Sequence, residues 1–395
     1  MNEEAAKGPV GTPVEPAPAT PAKGERLESL DLFRGLTVAG MLLVNNAGDS
    51  HTTFAQLEHA DWHGCTFTDL IFPAFLFIVG VSITLSLGKR GLQAPLRPIL
   101  VRAAKLVALG LLLHAIPFSF DRPLRLPGVL QRIGVCYLVA GLLAARTTLR
   151  TQALVTGGLL AGYYLAQRLI PVPEFGAFAI DVKGQDLGAW IDRTLLPGHL
   201  SSSRPDFVTF DPEGLFSTLP AIATTLLGVL AGRWLATARP AHERISGLFF
   251  AGFALTVLGL CATALVPLNK RLWTSSYVLF TGGLALQGLS ACYWLVDIQG
   301  VRRWATPFLA FGRNPIVAFF ASSAVARALH DETLYAKLAT PTEAVKSTKH
   351  WLYATLFVRG GVSTVWSSLA YALIYLALWW AVLAYLDRKK IYIKV

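Results

Sequence analysis

Between Leu70 and Gly88 the chain runs LIFPAFLFIVGVSITLSLG without one ionisable side chain. About 20 such residues in a helix cross roughly 30 Å of hydrocarbon, and inside lipid every backbone polar group must be satisfied within the segment. Nine other stretches are long and predominantly apolar, some with a few ionisable residues. The apolar pattern predicts ten spans, near 30–48, 67–88, 98–117, 129–145, 151–170, 214–235, 245–266, 274–296, 304–328 and 365–386. Only 15% of the 395 residues are charged and 53% are hydrophobic, whereas a soluble domain carries about 25% charged residues. The expected fold is all-α, a polytopic transmembrane helical bundle forming a single domain over 26–395.

Residues 1–25 are rich in Pro, Ala and Gly and lack an apolar core, so they are expected to be a disordered cytoplasmic tail rather than a signal peptide. Two longer segments, 171–213 and 329–364, are expected outside the cytoplasm. The second contains WLYATLFV, too short to span and read as interfacial or re-entrant. No strong internal repeat is visible. The four cysteines form no CxxC pair and suggest no disulfide framework.

Lys and Arg in short loops set orientation. Alternate loops carry Lys89, Arg90 and Arg97, then Arg146 and Arg150, Arg239 and Arg244, and Arg302 and Arg303; the C-terminus adds Arg388, Lys389, Lys390 and Lys394. The loop at 49–66 carries neither residue type. Both termini are therefore expected in the cytoplasm, with 49–66 on the far side. This bias accounts for most of the formal charge of +11, and no nucleic-acid partner is needed.

Ionisable groups inside spans are costly and usually functional. Here they fall in two layers. The inner one holds Asp31, Arg34, Arg313 and Asn314, with Pro315 expected to break or kink the ninth span. Asp31 and Arg34 lie three apart on one helix face and can simply pair; Arg313 and Asn314 can satisfy the break. The outer layer holds Asn45, Asn46, His59, Asp69, His114, Arg132, Asp211, Glu213, Lys270, Arg271 and Trp273. Lys270 and Arg271 could be solvated, and Trp273 could be an interfacial anchor. His59 sits beside Trp62 and ten residues before Asp69. An unperturbed histidine titrates near pH ~6.5 and so can accept a proton at neutral pH, and a carboxylate can orient its ring. His59 and His63 have i,i+4 spacing, but no third ligand is evident, so no metal site is expected.

The stretches LDLFRGLTVAGMLLVNN, HADWHGCTFTDLIFPAFLFIVG, GVLQRIGVCYL, FDPEGLFSTLPAIATTLLG, LNKRLWTSSYVLFTGGLA and FGRNPI occur in that order. They resemble the heparan-α-glucosaminide N-acetyltransferases and their bacterial relatives, from about residue 26 to 386. The animal enzyme's large luminal domain has no counterpart here, so the chain is expected to be the membrane acyltransferase portion alone.

The resemblance implies acetyl transfer from cytosolic acetyl-CoA to the free amine of a glucosamine-type sugar or glycan on the far side of a bacterial cytoplasmic (inner) membrane. The family's active-site histidine stands in an H-A-x-W motif, matched by His59 in HADW. Asp69 ten residues later and Asn45 after Val44 match the family positions too, giving an implied catalytic set of His59, Asp69 and Asn45. His59 would act as general base, typically worth 10²–10⁴-fold, or would carry the acetyl group itself. Asn46, Trp62, Arg132, Asp211, Glu213, Lys270 and Trp273 are the expected substrate contacts, with either tryptophan stacking on the sugar. Arg34, Arg313 and Asn314 are expected to meet the CoA phosphates; Arg132 and Lys270 take that role if CoA penetrates deeply. A homodimer is left open. Two rival readings remain: a permease for amino sugars or cell-wall fragments, and a binding protein without chemistry.

Overall fold

A computed structural model of the protein describes residues 27–88, 94–116, 123–201, 209–332, 335–336, 347–358 and 360–393. The expected N-terminal tail, Lys89, Arg90 and Lys394 lie outside the described residues, as do parts of 171–213 and 329–364. The helices are α1 (Glu28–Asn45), α2 (Phe67–Leu87), α3 (Arg97–Ala115), α4 (Val129–Arg146), α5 (Leu149–Leu169), a short α6 (Leu187–Leu195), α7 (Thr218–Leu235), α8 (Ala241–Cys261), α9 (Ser275–Cys292), α10 (Thr306–Arg313) and α11 (Pro315–His330). Helices Thr348–Phe357 and Val365–Arg388 follow. Among the described residues there is no β-strand, only an isolated bridge between Val172 and Gly176.

Helix lies under each of the ten stretches read as spans, but among the described residues seven helices are long and apolar enough to cross a membrane. They become eight if α10 and α11, bent by 72° about Asn314, form one broken span. α1 and α5 fall outside that set. α1 carries Glu28, Asp31 and Arg34 within 18 residues, and the apolar run of α5 is diluted by Arg150, Gln152, Gln167 and Arg168. The segment 171–213 is not merely polar loop: it contains α6, whose N-cap Asp186 accepts a bond from Ala189 N at 3.0 Å. WLYATLFV lies largely in the ten-residue helix Thr348–Phe357, about half the length a span requires.

α7 is central and α8 peripheral: 67% of the α7 apolar window is buried inside the protein against 17% for α8. Small residues permit this. A methyl group on Gly80 of α2 would lie 1.9 Å from the Thr225 carbonyl oxygen, and one on Gly228 of α7 would lie 2.0 Å from that of Phe77. Small side chains let membrane helices approach until backbones touch. Gly80→Ala is expected to cost about 1–3 kcal/mol through overpacking, read as a lower melting temperature in detergent. Gly157→Ala on α5, with nothing within 4 Å, should leave melting unchanged.

Four helices begin at the same end. Arg132, in the first turn of α4, bonds to Gly214 O and Ser217 Oγ just before α7 and lies over the Trp273 ring just before α9. Tyr277, in the first turn of α9, donates its hydroxyl to the Asp69 carbonyl in the first turn of α2. The opposite end is marked by Arg34, which reaches Ser82 near the end of α2 at 2.8 Å. Asp69 and Ser82 are thirteen residues apart, so the two polar layers stand about 20 Å apart along α2.

Candidate active site

The first turn of α2 is built by Thr66 and Asp69. Thr66 is the N-cap and Asp69 the third helical residue, and they form a reciprocal capping box. One Asp69 oxygen, Oδ2, accepts from Thr66 N, Thr66 Oγ1 and Ala60 N at 3.0–3.1 Å. The other, Oδ1, lies 2.7 Å from His59 Nδ1. A carboxylate offers only lone pairs, so Nδ1 of the neutral ring carries the proton and Nε2 is left as the basic nitrogen. The Asp69 side chain is 1% exposed and that of His59 42%. The acid is therefore fixed while the imidazole meets solvent.

A proline in the same helix supplies a further tie. Pro73 has no N–H, so the Asp69 carbonyl four residues earlier loses its helical partner. The Tyr277 hydroxyl takes that place at 2.5 Å.

The loop before α9 closes the site. Asn269 is fully buried; its Oδ1 accepts from Leu272 N, and its N–H donates to Thr274 Oγ1. Trp273 adopts φ 54°, a left-handed conformation costly for a bulky residue, and is 1% exposed. Its indole donates to Thr224 Oγ1 at 3.0 Å. Deep burial rules out the interfacial-anchor reading of Trp273. The turn places Lys270 Nζ 3.1 Å from both His59 ring nitrogens and 3.8 Å from Asp69 Oδ1. The expectation of a solvated Lys270 is likewise corrected. Burial draws its ammonium below the usual lysine range, opposed by the negative charges of Asp69 and Glu213.

These groups face an open cavity of about 950 Å³, lined by His59, Asp69, Trp62, Glu213, Lys270 and Trp273 among others. Trp62 donates to Ile180 O at 2.7 Å and packs edge-on to Phe210, joining the loop after α1 to the segment before α7. Asp211 lies behind the wall, in a bidentate pair with Arg125, which also holds Glu213 at 2.6 Å. Burial would raise the Asp211 pKa, but the Arg125 guanidinium and backbone donors hold it below the usual carboxylate range. Asp192 of α6 is pushed up to about 6 by burial and accepts Leu215 N at 2.8 Å. Arg132 stands behind Trp273 with Nε and Nη1 buried and without hydrogen-bond partners.

Other candidates lie elsewhere. Asn45 lines a separate cavity of about 160 Å³ with His114 and Arg125. Asn46 donates back to Leu42 O. His63 braces the loops, contacting Asp181 and Asn269. In the inner layer Arg34 pairs with Asp31 and reaches Gly312 O. Arg313 pairs with Asp387 at 2.9 Å, and Asn314 exchanges bonds with Ile391 O and Ile393 N. These three residues tie the broken helix to α1 and to the C-terminal segment.

Sequence reasoning passed over Thr66, Tyr277 and Asn269. The Thr66-x-x-Asp69 spacing was a readable capping signal, and a proline four residues after Asp69 marked a freed carbonyl. Nothing local pointed to Tyr277 as its donor.

The sequence model of a family described as heparan-alpha-glucosaminide N-acetyltransferase, catalytic, matches residues 26–266. The chain belongs to this family. Human heparan-alpha-glucosaminide N-acetyltransferase is 31% identical over 355 residues, covering 74% of this chain and 52% of the human protein. The mouse protein of the same name is 31% identical over 357 residues, covering 75% and 53%. The chain thus spans about half the length of the curated relatives it matches. The family match includes His59, Asp69, Arg132, Asp211 and Glu213, and ends before Lys270 and Trp273.

Proposed function

We propose that the protein transfers an acetyl group from acetyl-CoA to the amine of a glucosamine-type sugar, with His59 as general base or acetyl carrier. The observation that carries this is the His59 Nδ1–Asp69 Oδ1 contact of 2.7 Å at the rim of a cavity of about 950 Å³. The family's name supplies the acyl group and the acceptor class. In direct transfer Nε2 takes a proton from the ammonium, and the freed amine adds to the thioester carbonyl. The carbon–sulfur bond then breaks, CoA leaves as the thiol carrying the proton His59 held, and the second proton that the nitrogen loses on becoming an amide passes to solvent. In the two-step alternative Nε2 attacks first, the carbon–sulfur bond breaks and CoA leaves as the thiol; the acetyl then passes from the ring to the deprotonated amine, Nε2 is restored, and the proton the nitrogen gives up goes to solvent. Asp69 holds the tautomer in both. Trp62 and the exposed edge of the cavity suit a sugar ring.

The reading extends to ten spans in a bacterial cytoplasmic membrane, with both termini cytoplasmic and the His59 end outside. The loop charges support that orientation. Donor and acceptor then approach from opposite sides, and the inner arginines stand about 20 Å from His59 along α2. Asn45 enters the chemistry only if the two outer cavities join around Arg125, which lines the smaller one and pairs with Glu213 in the wall of the larger.

The test is CoA release by purified protein in nanodiscs given acetyl-CoA and glucosamine, followed with a thiol reagent and by mass of the acetylated sugar. Release dependent on the sugar is expected. Sugar uptake into proteoliposomes with acetyl-CoA left intact would overturn the reading in favour of a permease.

A further inference from the structure

Lys270 stands in an unusual relation to His59. Its Nζ is 3.1 Å from Nδ1 and 3.1 Å from Nε2. A donor in the ring plane cannot be equidistant from both nitrogens at that range without colliding with the carbon between them. The ammonium therefore sits against the ring face, clear of both in-plane lone pairs. Nδ1 remains committed to Asp69 and Nε2 remains available to a reactant. A cation over a π face is attracted to a neutral ring and repelled by a charged one.

Other charges near the cavity are largely matched. Asp61 pairs with Lys183 at 2.5 Å and Glu213 with Arg125 at 2.6 Å, while Asp181, 3.1 Å from the His63 ring, has its side chain largely in solvent. Arg271 lies over the Phe210 ring at 5.7 Å. Arg132 sits over the Trp273 ring and is not part of the cavity lining, though its charge still reaches Lys270. Cys65 also lies near Asp69 and Lys270, and burial pushes its thiol up to about 12, which keeps it uncharged. The imidazole is thus held between one buried carboxylate, which favours its protonated form, and one ammonium, which opposes it.

We infer that Lys270 is a positioning residue that keeps His59 uncharged, offsetting Asp69, so that Nε2 stays available as base or nucleophile at neutral pH. The inference rests on the role proposed for His59. Without Lys270, Asp69 acts unopposed and His59 binds its proton more tightly. The acid limb of the rate profile then moves to higher pH.

Two measurements test this. In the first, kcat/KM for acetyl transfer is followed against pH; Lys270→Met should move the acid limb up by about one pH unit, and Lys270→Arg should restore most of it. In the second, carbethoxylation of His59 by diethyl pyrocarbonate, which attacks only uncharged imidazole, is followed by fragment mass spectrometry without substrate. Its midpoint should rise in Lys270→Met and fall in Asp69→Asn, in opposite directions from wild type. An unmoved midpoint in Lys270→Met, with only KM for acetyl-CoA raised, would overturn the inference and make Lys270 a substrate contact. Because carbethoxylation needs no turnover, it decides the role of Lys270 even if wild-type protein releases no CoA.

Discussion

His59→Ala is expected to lower acetyl transfer by about 10²–10⁴-fold while leaving the protein folded. The ring is half-exposed and its side-chain contacts are Asp69 and Lys270. Its loss leaves the Asp69 carboxylate with three donors on Oδ2 and with Lys270 nearby, so the first turn of α2 keeps its cap. The melting temperature in detergent should stay close to wild type, and that separates chemistry from collapse. Isotope exchange between CoA and acetyl-CoA without sugar separates the two mechanisms. Exchange that disappears in His59→Ala means an acetylated ring; no exchange in wild type, with transfer intact, means direct attack. A His59→Ala variant transferring at the wild-type rate would remove the ring from the reaction.

Arg125→Met should produce the largest loss of stability, about 3–5 kcal/mol, because it strips the cation from a buried carboxylate. The Asp211 side chain is fully buried and bound bidentately, and Glu213 shares the same guanidinium. In wild type the Asp211 pKa is lowered in the fold. Its contribution is therefore complete above the unfolded carboxylate value, near pH ~3.9, and lost as pH falls through the lowered folded value. In Arg125→Met the buried acid without its cation prefers its proton, so the deficit against wild type should shrink as pH falls towards about 5. Melting curves of both proteins between neutral pH and that point test the sign. A deficit that stays constant or widens would mean that the guanidinium acts mainly by packing.

The helical architecture was legible because a membrane leaves few alternatives: apolar length alone marks a helix. The break at Asn314–Pro315 was legible because proline removes a donor, and the helix is bent there by 72°. α6 was not legible. It is nine residues long, and its cap and buried acids gain meaning only against the start of α7. At the site, His59 and Asp69 are ten residues apart in one loop and turn, so their pairing could be anticipated. The contact of Lys270 with the ring spans 211 positions and rests on a buried asparagine turn that no spacing rule reveals. The inner arginines show the opposite difficulty. Their charges suggested a ligand, while Asp31 and Asp387, three and 74 residues away, already meet them.

Pro73 makes the start of the second helix depend on a tyrosine more than two hundred residues further along the chain. A newly made segment up to α2 leaves the Asp69 carbonyl unmet until α9 arrives beside it. The aspartate that orients the imidazole thus acquires its full set of partners only when late-synthesised helices have docked, and a chain cut short before α9 should carry the histidine motif in an unassembled form.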